Sequence, residues 1–123
     1  VLVRLKAASL NPADAYFRRY GPYIASSDPL ILGHDGAGIV EAVGSRVRRF
    51  APGDEVCFCN GGIGGTPGTY AEFALVLEDQ LVGKPAAIGF ADAAALPLVA
   101  ITLWESLHER ARVRRGERVL IHG

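Results

Sequence analysis

Residues 1–8 alternate between apolar and charged positions, with Val3 and Leu5 set against Arg4 and Lys6, which predicts a strand with one wet face. The alternation stops at Asn11-Pro12-Ala13-Asp14. An N-cap residue, a proline suited to the first turn and an acid near the positive helix end predict a short helix over residues 12–19. Gly21, Pro22 and Pro29 then impose a loop. From residue 30 to 77 the apolar runs are short and bracketed by glycine. Residues 39–43 stand between Gly38 and Gly44, and Pro52-Gly53-Asp54 predicts a tight turn before a strand over residues 55–58. Residues 69–77 read as a further strand. Short strands at this spacing predict a small barrel or distorted sandwich. The period then changes. Residues 91–112 are alanine- and leucine-rich and predict helix, split in two by Pro97. A turn at residues 114–117 leads to Val119-Leu120-Ile121, the pattern of a buried strand, closed by Gly123. A β-rich module, a helix and a buried strand in this order predict a small barrel handing over to a parallel α/β domain.

Composition narrows this little. Of 123 residues, 50% are hydrophobic and 21% charged, the balance of a globular domain. Thirteen Lys and Arg offset 13 Asp and Glu, so no global field favours nucleic acid or an anionic membrane as partner. The local arginines, at 46, 48 and 49 and again at 110, 112, 114 and 115, read as a solvated turn and a helix end. No apolar run approaches the ~18 residues of a membrane span. Residues 93–104 come nearest and are broken by Pro97. Cys57 and Cys59 are too close for an easy disulfide. On a strand they share one face, as two small core hydrophobes in a reducing compartment. With no signal-peptide pattern, the expected location is cytoplasmic. The chain opens without methionine inside a strand-like run and closes on another, so it is expected to be part of a longer protein and inactive alone.

The run Gly33-His34-Asp35-Gly36-Ala37-Gly38-Ile39-Val40-Glu41-Ala42-Val43-Gly44, continuing to Phe50-Ala51-Pro52-Gly53-Asp54-Glu55-Val56, resembles the signature of the medium-chain dehydrogenases/reductases. Gly68-Thr69-Tyr70-Ala71-Glu72-Phe73 is similar to that family's next strand. Ala93-Ala94-Ala95-Leu96-Pro97-Leu98, leading to Thr102-Leu103-Trp104, is similar to the segment joining its two domains. The resemblance runs the length of the chain, with several motifs in order. It implies a GroES-like β-barrel domain over residues 1–90, lacking its first strands. Residues 91–123 would be connecting helices and the first strand of a Rossmann nucleotide-binding domain.

Zinc alcohol dehydrogenases of this family hold catalytic zinc with a cysteine after the first strand, the histidine of a Gly-His-Glu motif and a later cysteine or acid. Matched to them, this chain carries Asn11, His34 and Leu98, with Asp35 where glutamate is usual. A catalytic zinc needs three protein ligands and an open position, and one of the three is present. Nor is there a four-cysteine lobe for structural zinc. The chain therefore resembles the zinc-free quinone oxidoreductases of the zeta-crystallin kind, through Asn11-Pro12-Ala13-Asp14-Ala15-Tyr16 and Gly21-Pro22-Tyr23.

That resemblance implies NADPH as cofactor and a small-molecule quinone or α,β-unsaturated carbonyl as substrate, in a homodimer. It places Asn11, Tyr16 and Tyr23 beside the nicotinamide, with His34 at the cleft edge as a candidate acid. Thr102 would pack on the cofactor, and Gly123 would open the glycine fingerprint. From the residues alone, Asn11 is also a good helix cap, Tyr16 could be core, and Thr102 could bond its own helix backbone. In the glycine-rich loop at residues 61–68, Pro67 falls where a dinucleotide fingerprint needs its third glycine, and a strand follows where a helix is required. The segment reads as a surface loop near the cleft mouth. Two alternatives stay open: a zinc alcohol dehydrogenase with unusual ligands, and a non-catalytic GroES-like binding module.

Overall fold

The computed structural model describes residues 1–21, 30–60 and 67–122. Five strands, β1 (Leu2–Ala8), β2 (Asp35–Ala42), β3 (Glu55–Cys59), β4 (Phe73–Leu75) and β5 (Leu81–Gly83), form one antiparallel sheet in the order β4-β1-β2-β3-β5. Val3, Val40, Val56 and Phe58 share a core cluster with Ala74 on one edge strand and Leu81 on the other. The sheet is therefore curled over its own apolar face into a partial barrel, the solution by which a small sheet buries one side of its alternating pattern. The period-2 rule carries Cys57 to the opposite face, where it packs with Ala37, Ala93 and Ala94. Cys57 is buried and Cys59 half-buried, and neither is in a disulfide. Burial pushes the Cys57 thiol up from its ordinary range.

Two glycines let the sheet close. A Cβ on Gly38 would stand 2.2 Å from the Arg4 carbonyl oxygen, so β1 and β2 approach at a distance that only glycine allows. Gly53 has φ +98°, and the expected turn forms around it, with the Ala51 N–H held 2.8 Å from Asp54 Oδ2.

The helix α1 (Pro12–Tyr20) runs one residue beyond the predicted span and buries Asp14 and Phe17. The alanine-rich segment divides as expected at Pro97 into α2 (Phe90–Ala95) and α3 (Pro97–Leu103), and α3 continues as a π-helical segment, Trp104–Arg110.

Three expectations need correction. The strand predicted over residues 69–77 is confined to Phe73–Leu75. Upstream of it, the N–H groups of Gly68, Thr69 and Tyr70 donate instead to the carbonyls of Ile31, Gly33 and Leu32, which pins that segment beside β2 rather than along β1. The edge strand Leu81–Gly83 was not predicted, three residues being too few to show a period. Residues 119–121 form no strand, and Leu120 is 81% exposed. An apolar run becomes a buried parallel strand only between neighbouring strands, and the described residues offer it none.

Candidate active-site cleft

Asn11 is the junction of two clefts. One, of about 260 Å³, lies between the start of α1 and the outer face of α3 and is lined by Asn11, Pro12, Ala13, Leu98, Val99 and Thr102. The other, of about 420 Å³, lies behind it against Asp14, Arg18, Leu32 and Tyr70.

Two buried carboxylates hold this region. Asp14 Oδ2 accepts the Asn11 backbone N–H at 2.8 Å and the Tyr70 hydroxyl at 2.9 Å. Its Oδ1 accepts the Gly33 N–H at 3.1 Å and stands 2.8 Å from His34 Nδ1. Burial raises the Asp14 carboxyl, but the Asn11 N–H, the Tyr70 hydroxyl and His34 outweigh it, and the net shift is below the usual carboxylate range. As an ionised carboxylate only accepts, His34 Nδ1 donates to it. Burial and the neighbouring Asp14 push the Tyr70 hydroxyl up to about 12, so it remains a donor at neutral pH.

Asp35 is the second carboxylate, fully buried at the start of β2. Its Oδ2 accepts Ser9 Oγ–H and Asn11 Nδ2–H, both at 2.8 Å, and its Oδ1 accepts the Leu98 N–H at 2.8 Å. One side chain thereby ties the end of β1, the cap of α1 and the first turn of α3.

The expected site residues separate into groups. Asn11 and Thr102 line the same cleft. Asn11 stands at the N-cap of α1, and its amide nitrogen donates to Asp35 and Ser9. The Thr102 hydroxyl bonds the Leu98 carbonyl at 2.9 Å, the local alternative left open by the sequence, while the residue still faces the cleft. Tyr16 is 42% exposed, follows Pro12 and Ala13 by one turn of α1 and packs against Tyr20, and it lines neither cleft. It is not core. His34 is 1% exposed and stacked on Phe17; it lines neither cleft, lying behind Asp14, and its Nε2 has no partner among the described residues. Tyr23, Gly123 and most of the glycine loop lie outside the described residues.

Asp14, Asp35 and Tyr70 were not anticipated as site residues. Asp35 did carry a signal, as an acid adjoining His34 within an otherwise apolar, glycine-rich strand. Among the described residues no group of three or more His, Cys, Asp and Glu side chains is placed to hold a metal ion.

Residues 1–86 match the family model of the alcohol dehydrogenase GroES-like domain. The chain belongs to this family. The chain is 42% identical over 122 residues to a quinone oxidoreductase of Pseudomonas aeruginosa, covering 99% of the chain and 36% of that protein. A solved structure of an alcohol dehydrogenase superfamily protein from Novosphingobium aromaticivorans superposes with a TM-score of 0.89 at 47% identity, over 95% of this chain and 36% of that one. The quinone oxidoreductase of Pseudomonas syringae pv. Tomato DC3000 gives a TM-score of 0.78 at 41% identity, over 95% and 34%. The chain thus spans about a third of the length of the relatives it matches. Among the described residues no helix is long and apolar enough to cross a membrane.

Proposed function

We propose that the protein containing this GroES-like domain transfers hydride from NADPH to a quinone or to the β-carbon of an α,β-unsaturated carbonyl, without zinc. The observation that carries this reading is the chemistry of the cleft wall. At two positions where zinc relatives place ligands, Leu98 offers no donor atom and the Asn11 amide nitrogen is engaged by Asp35 and Ser9. Such a donor set does not fit zinc, which needs three ligands. It fits the flat end of a nicotinamide, with Thr102 and Leu98 on one side and Asn11 and Pro12 on the other. When bound, the nicotinamide supplies the hydride. The chain's own residues bind, orient and donate hydrogen bonds. Asn11 shapes the wall, and the Tyr16 hydroxyl, one turn along α1, is the donor for a substrate oxygen that gains negative charge. His34 joins the site through Asp14 rather than by touching substrate. Tyr23 and Gly123 complete the proposed set. The similarity to quinone oxidoreductases supports the acceptor class. A homodimer acting in the cytoplasm belongs to the same reading.

NADPH oxidation by the full-length protein, with a quinone and an enone, with and without a chelator, tests it. Chelator-resistant turnover is expected. No turnover with any acceptor would leave the GroES-like binding module as the function.

One observation favours a zinc enzyme as the second reading. Asp14 holds His34 Nδ1 and leaves Nε2 unpaired, the arrangement by which a carboxylate orients a metal-binding histidine. Stoichiometric zinc in the purified protein, with turnover lost to chelator, would move the assignment there.

A further inference from the structure

We infer that Asp35 is a positioning residue that sets the two walls of the Asn11–Thr102 cleft against each other. Its carboxylate is fully buried and forms no ion pair with the described cations; three hydrogen-bond donors hold it in place. A carboxylate taken out of water is costly unless its oxygens are satisfied, so it draws its donors into fixed places. Two of those donors belong to the cleft. The Asn11 amide stands on the α1 wall, and the Leu98 N–H opens the helix that carries Thr102. The connection continues from Leu98, whose carbonyl accepts the Thr102 hydroxyl. A line of hydrogen bonds thus runs from Asn11 through Asp35 and Leu98 to Thr102. Asp35 itself lines neither the cleft beside α3 nor the one behind it. It acts through Asn11 and α3, and the ligand it serves is the nicotinamide and carbonyl pair of the proposed reaction, on which this inference rests.

An amide replaces this carboxylate only if its partners rearrange. With its oxygen on the Leu98 N–H, the NH₂ group of Asp35→Asn would need acceptors, and the Ser9 hydroxyl and the Asn11 amide would have to turn from donating to accepting. The test is a double-mutant cycle in the full-length protein between Asp35→Asn and Asn11→Ala, read as kcat/KM for NADPH and for the acceptor. Each single change is expected to lower kcat/KM by about tenfold, with much of the loss in KM. The double variant is expected to lose less than the product of the two single losses, because part of the Asp35→Asn effect runs through Asn11 and the rest through the Leu98 N–H. Losses that multiply would overturn the inference. Ser9→Ala is the milder variant should Asp35→Asn fail to fold. It removes a donor from the same Oδ2, and its smaller effect should also vanish in the Asn11→Ala background; persistence there would count equally against the inference.

Amide hydrogen exchange at Leu98 separates this inference from the proposed reaction, since it needs no substrate. Faster exchange at Leu98 in Asp35→Ala, which leaves no side-chain oxygen to accept that N–H, with both proteins folded at the temperature of measurement, establishes the tie even if the wild type oxidises no NADPH. Unchanged exchange there overturns the tie whatever the enzyme does.

Discussion

Asn11 is held by Asp14 and Asp35 from opposite ends of one residue: its backbone N–H donates to Asp14 and its side-chain amide to Asp35, each at 2.8 Å. Both carboxylates are buried, and each is satisfied by donors from distant parts of the chain. The cap of α1 is therefore a fixed point of the structure. The clefts that share Asn11 inherit that rigidity, which a site needs if bound groups are to meet in one geometry.

Asp14 should make stability depend on acid. Its native value lies below the ordinary 3.8, so its contribution is present above the unfolded value and is lost as pH falls through the native one. Asp14→Asn is expected to lower stability at neutral pH and to flatten the acid limb of the curve. Urea melts from neutral pH down to below 3.8 check this; an acid limb as steep in the variant as in the wild type would show that other groups carry it.

How much of this could be read in advance differs from feature to feature. Asn11-Pro12 announced the start of α1 because caps and prolines act over one turn, and Pro97 announced the break between α2 and α3 for the same reason. The Gly53 turn was legible because it answers a local steric demand, whereas Gly38, expected only to bracket residues 39–43, lies inside β2 and answers to the Arg4 carbonyl on the neighbouring strand. The use of the Asn11 amide was not legible. Its partner lies 24 positions away, and cap chemistry explains the residue without it. Asp35 was hidden more deeply, since its three donors come from β1, α1 and α3 and no window of sequence contains them all. The shortening of the strand at residues 69–77 has the same origin, a lateral pairing with residues 31–33 that local alternation does not reveal.

Tyr70 should control the acid behaviour of Asp14. Its hydroxyl is one of the donors that hold that carboxyl down, and it is itself pushed up to about 12 by burial and by Asp14. Tyr70→Phe removes the donor without removing the ring. The acid limb of stability is expected to move to higher pH than in the wild type, because the carboxylate is less well held. At the alkaline end the wild type should lose the stabilisation from the Tyr70 proton between the unfolded value of 10 and about 12, and Tyr70→Phe should lack that loss. Stability measured across both limbs decides each part separately.

Gly38→Ala tests the close approach of β1 and β2. The added Cβ would lie 2.2 Å from the Arg4 carbonyl oxygen, a backbone atom that can move only with its strand. Destabilisation of about 1–3 kcal/mol is expected, the range for forcing an added methyl group into a packed site. Gly44→Ala is the control, because nothing lies within 4 Å of its added Cβ. Thermal melts of the two variants side by side measure the difference, and equal melting temperatures would mean that the strands part without cost.

Tyr16→Phe separates chemistry from scaffold. The ring is part of an edge contact with Phe17 and a tilted contact with Tyr20, and phenylalanine keeps both. Only the hydroxyl is lost, from a residue 42% exposed, and a thermal melt of the variant beside the wild type checks that the fold is kept. If that hydroxyl donates to the substrate oxygen as charge develops, turnover of the full-length protein should fall by more than a few-fold, with kcat and kcat/KM falling together. An interaction made equally with bound substrate and transition state would instead raise KM and leave kcat alone. Wild-type rates across quinones and enones would remove Tyr16 from the mechanism. Asn11, held between two carboxylates, would then be the remaining described polar residue on the α1 wall from which hydrogen bonding to the substrate could come.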